Sequence, residues 1–519
     1  MYIEPNTTIK LYSGVPLDNT YNHTLYFASE SEQRSYFSVS KYTLSAQSYQ
    51  RVERSKMRIE RKADDLYDCN YLAFKNVNYG DKWFYAFITS VEYINNVTSE
   101  ITFEIDVMQT YMFDVTLKDC FVEREHSVTD VIGENIQAEP IETGEYVNSD
   151  YGLVRDVRDM LVMIMIADET STSYGDLYEG IYGGCDIWAY NSTDTTSITS
   201  KVKEYIQKPD QIIAMYMCPK MLIPDVPDGG MHLSYSKTSS FITETLPSVT
   251  EESQDFDGYI PKNKKLYTYP YNFLRIDNAS GQSLNLRYEF FDNLTPVIEI
   301  QGSFLMPVKL VARPCSYKGL PSYSELGGYT SSKSEAISLE NYPMCSWNVD
   351  TFKSWLAQNS VPIALNAIGS VTNSAIASQY SAHPTASFAT GTVGTVASVL
   401  SQVYTASIAA DQCRGNISNG NVNVARDIQA FYKQRCHVTK DFAIVIDNFF
   451  SMYGYATNKV KQPNISSRPH WNYVKTLGCV VVGRAPSDDI KKMCSIYDNG
   501  ITFWKNANEV GDYSLDNSV

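Results

Sequence analysis

The sequence carries no CxxC pair, no HExxH, no GxSxG and no phosphate-binding glycine loop, so it has no local signature of a zinc site, a redox dithiol, a hydrolase elbow or a nucleotide cradle. Histidine is scarce. The six copies, His23, His126, His232, His383, His437 and His470, are widely spaced, and none stands four positions from another as a helical metal site requires. No catalytic residue, metal or cofactor is therefore assigned, and a non-enzymatic role is expected. No apolar run reaches the roughly 18 residues of a conventional transmembrane helix, and no repeat of roughly 20 to 50 residues suggests a solenoid or propeller. The N-terminal stretch already includes Glu4, Pro5 and Asn6, which leaves no room for a secretory signal and points to maturation in a reducing cytoplasm. The 10 cysteines, among them Cys69, Cys120, Cys185 and Cys218, are accordingly read as buried thiols.

Positive charge is also in short supply. With 59 acidic against 43 basic side chains in 519 residues, the net charge is -16, and binding of nucleic acid in a basic groove is disfavoured. DNA as a passing cargo is still compatible with such a surface.

Tyrosine is abundant, at 39 copies, and with the many Val, Thr and Phe residues it inclines the chain toward strands. Ile101, Phe103, Ile105 and Val107 alternate with polar residues, the period-2 pattern of a strand with one buried face. The aromatic run Trp83 to Tyr93, bounded by the Tyr79-Gly80-Asp81 turn and by Asn95-Asn96, is its expected hairpin partner. Met160 to Ala167, Ile212 to Met217 and Cys479 to Val482 are short apolar runs that predict strands buried on both faces. Stretches 168–184 and 219–254 accumulate turn residues and predict surface loops and domain junctions. Near the end, Phe442, Val445, Ile446, Phe449, Phe450 and Tyr453 mark one helical face, with Asp441 as its expected cap and Gly454 as its stop. A second helix is expected from Ser487 through Ile490, Met493, Cys494 and Tyr497 to Asn499-Gly500.

One segment stands apart. From Ser354 to Ala410 there is no Asp, Glu, Lys or Arg, where the overall 20% charge content would supply about eleven. Its larger apolar residues, Ile363, Leu365, Ile368, Val371 and Ile376 before His383-Pro384, and Phe388, Val393, Val396, Leu400, Val403 and Ile408 after it, fall largely at helical spacing. Two arms of about 18 to 20 residues would each cross a bilayer of roughly 30 Å, although polar residues make them amphipathic rather than conventional spans. A flexible Ala/Ser/Thr-rich loop of low complexity is the alternative reading.

His126 follows Glu123, Arg124 and Glu125, an arrangement compatible with acid-base work or, more ordinarily, with a solvated ion-pair edge. Pairs such as Asp64-Asp65, Glu251-Glu252 and Asp488-Asp489 default to surface solubility.

Particular strings carry a resemblance. Tyr79 to Phe87, Phe103 to Phe113 and Val122-Glu123-Arg124-Glu125-His126, then Tyr269-Pro270-Tyr271, Tyr453-Gly454-Tyr455, Lys461-Gln462-Pro463-Asn464, Tyr497 to Thr502 and Phe503-Trp504, resemble the distal tail-knob (tail tube) protein of small podoviruses of the Picovirinae type that infect Gram-positive bacteria. The resemblance covers stretches 1–130 and 440–519 well, and the middle is read as dissimilar. It implies a mainly β fold of barrel- or sandwich-like tube domains with a few packed helices and one long apolar loop, in a cyclic hexamer. Implied domains are 1–130 and 266–353 with 416–519 as two tube domains, 131–265 as a lower-knob or host-specific insertion, and 354–415 as the uncharged plug or membrane-active loop. The implied role is structural: a knob or tube at the virion tail, assembled in the host cytoplasm, through which phage DNA is ejected without specific binding. Implied partners are the other five copies, the upper tail or lower collar (connector) protein, receptor-binding appendages, and the host membrane through the loop. A receptor-binding or wall-degrading tail component is the competing expectation, and a pore-forming toxin, lacking its signal sequence, the third.

Overall fold

The computed structural model of the chain describes residues 6–47, 55–76, 80, 82–167, 177–178, 181–182, 185–205, 211–233, 241–251, 255–318, 335–340, 342, 344–346, 416–417 and 430–519. The architecture is mainly β. The chain forms two compact units, one of residues 1–145, 254–268 and 438–519, the other of 146–253 and 269–437. These groupings differ from the expected boundaries. Stretch 438–519 joins the first unit rather than 266–353, because strand Cys120–Glu125 is hydrogen-bonded on one side by Tyr455–Lys461 and on the other by Trp471–Leu477.

In the first unit a six-stranded antiparallel sheet runs in the order Tyr42–Gln47, Thr7–Ser13, Cys69–Lys75, Phe84–Asn95, Thr98–Ile105 and Lys56–Ile59. The expected hairpin is its long arm, with Ile101 opposite Val91 and Ile105 opposite Ala86. Strand alternation gives the sheet two apolar faces. Leu72 and Phe74 enter a cluster with Ile9, Leu11, Ile101 and Phe103, while Tyr71 and Ala73 join a larger one with Tyr85, Phe87, Trp471 and Trp504. A five-stranded sheet supplies those tryptophans, in the order His23–Leu25, Ile501–Trp504, Trp471–Leu477, Cys120–Glu125 and Tyr455–Lys461. Trp471 and Trp504 are directly opposite one another, ring centroids 5.0 Å apart, and both are fully buried.

The second expected helix is present as Ser487–Asn499, with Asp488 and Asp489 in its first turn, Met493, Ile496 and Tyr497 buried, and Gly500 at φ +95° ending it. The first spans Lys440–Tyr453, but its buried face is Ala443, Ile446, Asp447 and Phe450, and Val445 is 65% exposed. The apolar stripe is rotated from the one the spacing suggested, because a buried carboxylate takes one of the inward positions. Thr439, not Asp441, occupies the cap position, and Asp441 lies in the first turn.

In the second unit Met160–Ile166 lies between Asp186–Asn191 and Ile212–Pro219, buried over almost its whole length as its apolar run predicts. Stretch 219–254 is not only loop, since Phe241–Thr245 pairs with Val297–Ser303 in a four-stranded sheet, and stretch 168–184 contains the short ribbon of Leu177–Tyr178 with Ile181–Tyr182. A further four-stranded sheet runs in the order Tyr146–Arg155, Phe431–Val438, Asn272–Asp277 and Ser283–Leu286. Cys479 to Val482, in the first unit, is not a doubly buried strand. Val481–Gly483 pairs only with Val115–Leu117, so Cys479 and Val481 face the core while Val480 and Val482 face solvent.

Candidate functional site

The eleven residues expected to enter the membrane, Ile363, Leu365, Ile368, Val371, Ile376, Phe388, Val393, Val396, Leu400, Val403 and Ile408, all lie outside the described residues. Among the described residues no helix is long and apolar enough to cross a membrane, and no group of three or more His, Cys, Asp or Glu is arranged to hold a metal ion. Described cysteines are free thiols, seven of them buried.

What the structure does assemble is a buried polar clasp in the first unit, where segments 120–139, 254–268 and 447–472 meet. Its floor is strand Cys120–Glu125, held between Tyr455–Lys461 and Trp471–Leu477. Cys120 and Val122 point into the core by alternation, and Arg124, Glu125 and His126 are nevertheless also buried.

His126 is neither an acid-base catalyst in a cleft nor a solvated edge residue. It is 2% exposed; its Nδ1 accepts from the Tyr473 amide at 2.8 Å, so Nε2 carries the proton and donates to the Ser451 carbonyl at 3.0 Å. Burial, then the positive charges of Arg468 and Arg124, pushes its pKa down to about 3. The imidazole is a neutral two-ended strut. Sequence pattern could not show this, because the partners stand 325 and 347 positions further along the chain.

Most charges in the clasp are answered by an opposite one, whereas Arg468, 2% exposed, donates to the neutral Asn517 carbonyl and Ser127 hydroxyl oxygens. Glu125 accepts from the Asn464 amide at 2.8 Å and from Lys461 Nζ at 2.5 Å. Arg124 donates to the Gly454 carbonyl at 2.7 Å, pairs with Glu139, and lies 4.7 Å from the centre of the Phe449 ring. Glu139, its side chain fully buried, is shared by Arg124, Lys265 and the Ala456 amide. Burial lowers the pKa of Lys265, and Glu139 opposes that shift. Asp130 accepts from Tyr455 Oη at 2.8 Å and from the Lys264 amide, and burial raises its pKa.

Asp447 completes the arrangement. From the helix Lys440–Tyr453 it accepts from Tyr259 Oη at 2.6 Å, the Lys262 amide at 2.9 Å, and both the backbone and side-chain nitrogens of Asn263 at 3.0 and 2.8 Å. Asp447 and Glu139 escaped the sequence reading, since nothing in their local strings separates them from surface acids. Gly454 closes the helix at φ +65°, and a Cβ there would stand 2.2 Å from the Glu125 carbonyl oxygen. Removing one partner of a buried, hydrogen-bonded charge costs about 3 to 5 kcal/mol. The clasp therefore fixes segment 254–268, which lies in sequence between the two stretches of the second unit, onto the body of the first.

The strings quoted above as Val122 to His126, Tyr453-Gly454-Tyr455 and Lys461 to Asn464 all converge here. In comparisons with known proteins, the family described as "Bacillus phage phi29, Tail knob protein gp9, C-terminal domain" matches residues 236–518, and "Caudoviral major tail protein N-terminus" matches residues 5–116. The tail knob protein gp9 of Bacillus phage PZA is 26% identical, with 99% of this chain and 98% of that protein covered, and the tail knob protein gp9 of Bacillus phage phi29 is 25% identical over the same shares. The middle stretch read as dissimilar falls inside these alignments. A solved structure, that of the bacteriophage C1 tail knob protein gp12, superposes with a TM-score of 0.61 at 14% identity, covering 99% of both chains.

Proposed function

The chain belongs to the phi29 gp9 tail knob family, and from its place as a structural component of a phage tail we propose that six copies close into a ring whose lumen conducts the genome during ejection. No catalytic step is part of this role. The observation that carries the conduit reading is the charge balance: at net -16, the chain offers few cationic side chains to brake a passing polyphosphate. A closed ring needs two different contact patches per subunit, because its interfaces are heterologous.

The charge-free segment 354–410, with 354–415 as its wider bounds, supplies the second part of the proposal. It plugs the distal opening before ejection and inserts into the host membrane afterwards, with Ile363 to Ile376 and Phe388 to Ile408 as its two apolar arms. The ring docks on the upper tail or lower collar protein, and residues 146–253, the part of the expected 131–265 insertion that lies outside the first unit, form the lower, host-facing part. Support comes from the absence of any charge over a length that suits two bilayer crossings.

Electron microscopy of purified protein and of phage particles tests the ring. Sixfold rings in both are expected. Strictly monomeric protein at high concentration, together with particles that lack any ring of it, would overturn the proposal.

A further inference from the structure

The four-stranded sheet of Tyr146–Arg155, Phe431–Val438, Asn272–Asp277 and Ser283–Leu286 has one buried face and one that is open around Tyr432 and Gln434 and closed over at Phe273 and Cys436. Leu274, Ile276, Leu286, Arg435 and His437 lie on the buried side. On the other, register places Tyr432 beside Asp277 and Ser283, and Gln434 beside Arg275 and Asn285. Tyr151, 66% exposed, stacks on Tyr432 with centroids 5.4 Å apart and planes 12° from parallel. Five residues back along the edge strand, the exposed Tyr146 meets the buried ring of Phe273 edge-on at 5.5 Å, and Tyr269 packs against the same ring. Two aromatic stations thus flank a band of planar polar side chains, Asn148, Gln434, Arg275 and Asn285.

Stacking a tyrosine pair in open solvent gains little for the fold, since much of its area remains wet. Exposed tyrosines instead offer rigid, amphipathic contact area at low entropic cost to a ligand. Charge narrows the choice of ligand. Arg275 and Asp277 cancel on this face, so a polyanion or a basic peptide would find no net countercharge. The shape is a flat platform rather than a pocket, which suits an extended chain of rings better than a small metabolite.

We propose that this face binds a neutral oligosaccharide, with sugar rings packed on Tyr151-Tyr432 and on the exposed rings of Tyr146 and Tyr269, and their hydroxyls hydrogen-bonded by the amide and guanidinium groups between. The site lies within the second unit and stands independently of ring formation, so either idea can fail alone.

The full-length protein is applied to an array of neutral oligosaccharides with phosphorylated and sulfated counterparts, and bound sugars are then titrated. Particle mass is measured in parallel. Retention of neutral glycans is expected, about tenfold weaker for Tyr151→Ala and Tyr432→Ala and unchanged for Tyr67→Ala, an equally exposed tyrosine of the first unit. The inference falls if the wild type retains no neutral glycan, if both platform variants bind as well as wild type, or if only the anionic sugars bind and salt releases them. It also falls if Tyr151→Ala breaks the assembly while wild type ignores sugars, an outcome that makes the face a contact between copies.

Discussion

The Asp447 carboxylate accepts two hydrogen bonds from Asn263, one from its backbone amide at 3.0 Å and one from its side-chain amide at 2.8 Å, across 184 residues of sequence. One carboxylate on a helix thereby holds a strap segment that no sheet retains. The relationship makes the clasp testable one side chain at a time.

Asp447→Ala leaves the buried donors of Asn263, and the part-buried ones of Tyr259 and Lys262, without their acceptor. A loss of about 3 to 5 kcal/mol is expected in urea unfolding followed by the fluorescence of Trp471 and Trp504. Asp441→Ala, exposed in the first turn of the same helix, should cost at most about 1 kcal/mol. Equal effects from the two variants would show that the clasp contributes nothing beyond ordinary helix electrostatics.

Two glycines with positive φ separate conformational strain from collision. Gly511, at +86°, has nothing within 4 Å of where an added methyl group would stand, so Gly511→Ala should cost only the left-handed penalty of about 1 to 2 kcal/mol. Gly454→Ala adds an overlap with the Glu125 carbonyl and the His126 amide and should lower stability well beyond that. Melting temperatures that fall equally would contradict the close approach.

The buried His126 gives a pH signature. Its folded pKa lies near 3 against an ordinary 6.5, so above about 6.5 neither state holds the proton and the residue adds no slope. Between about 6.5 and 3 the unfolded chain binds a proton that the folded chain refuses, and stability falls on acidification by up to about 1.4 kcal/mol per pH unit. Asp130 and Asp106 work in the opposite sense, because burial raises their pKa values, that of Asp106 to about 6. The measurement is therefore the stability of wild type minus His126→Asn across pH, in which those carboxylates cancel. The difference should be flat above about pH 6.5 and shrink below it; a flat line down to pH 4 would show that the imidazole protonates in place.

For the charge-free segment, deletion of 354–410 should leave rings intact but abolish dye release from liposomes. Val396→Asp and Leu400→Asp each oppose insertion by about 2.5 to 3.5 kcal/mol per copy on insertion scales. Their release should drop sharply while assembly is unchanged. Equal leakage from all forms would end the membrane proposal, and loss of the ring on deletion would make the segment structural.

Local physics was legible in the sequence. Period-2 alternation placed the hairpin of Phe84–Asn95 with Thr98–Ile105, the unbroken apolar run placed Met160–Ile166, and Gly454 and Gly500 marked where two helices stop. These features depend on near neighbours in the chain, so their cause is written in the string itself. Tertiary structure alone decided which charges went inside. Glu125, His126, Glu139, Lys265 and Asp447 look in sequence like any surface polar residues, and only partners far along the chain, such as Asn464 for Glu125 and Tyr473 for His126, make their burial affordable. The same long-range pairing assigned stretch 438–519 to the first unit and turned the helix Lys440–Tyr453 so that a carboxylate, not Val445, faces inward. A buried charge is stable only with its partner present, and the partner is set by the fold, not by the local sequence.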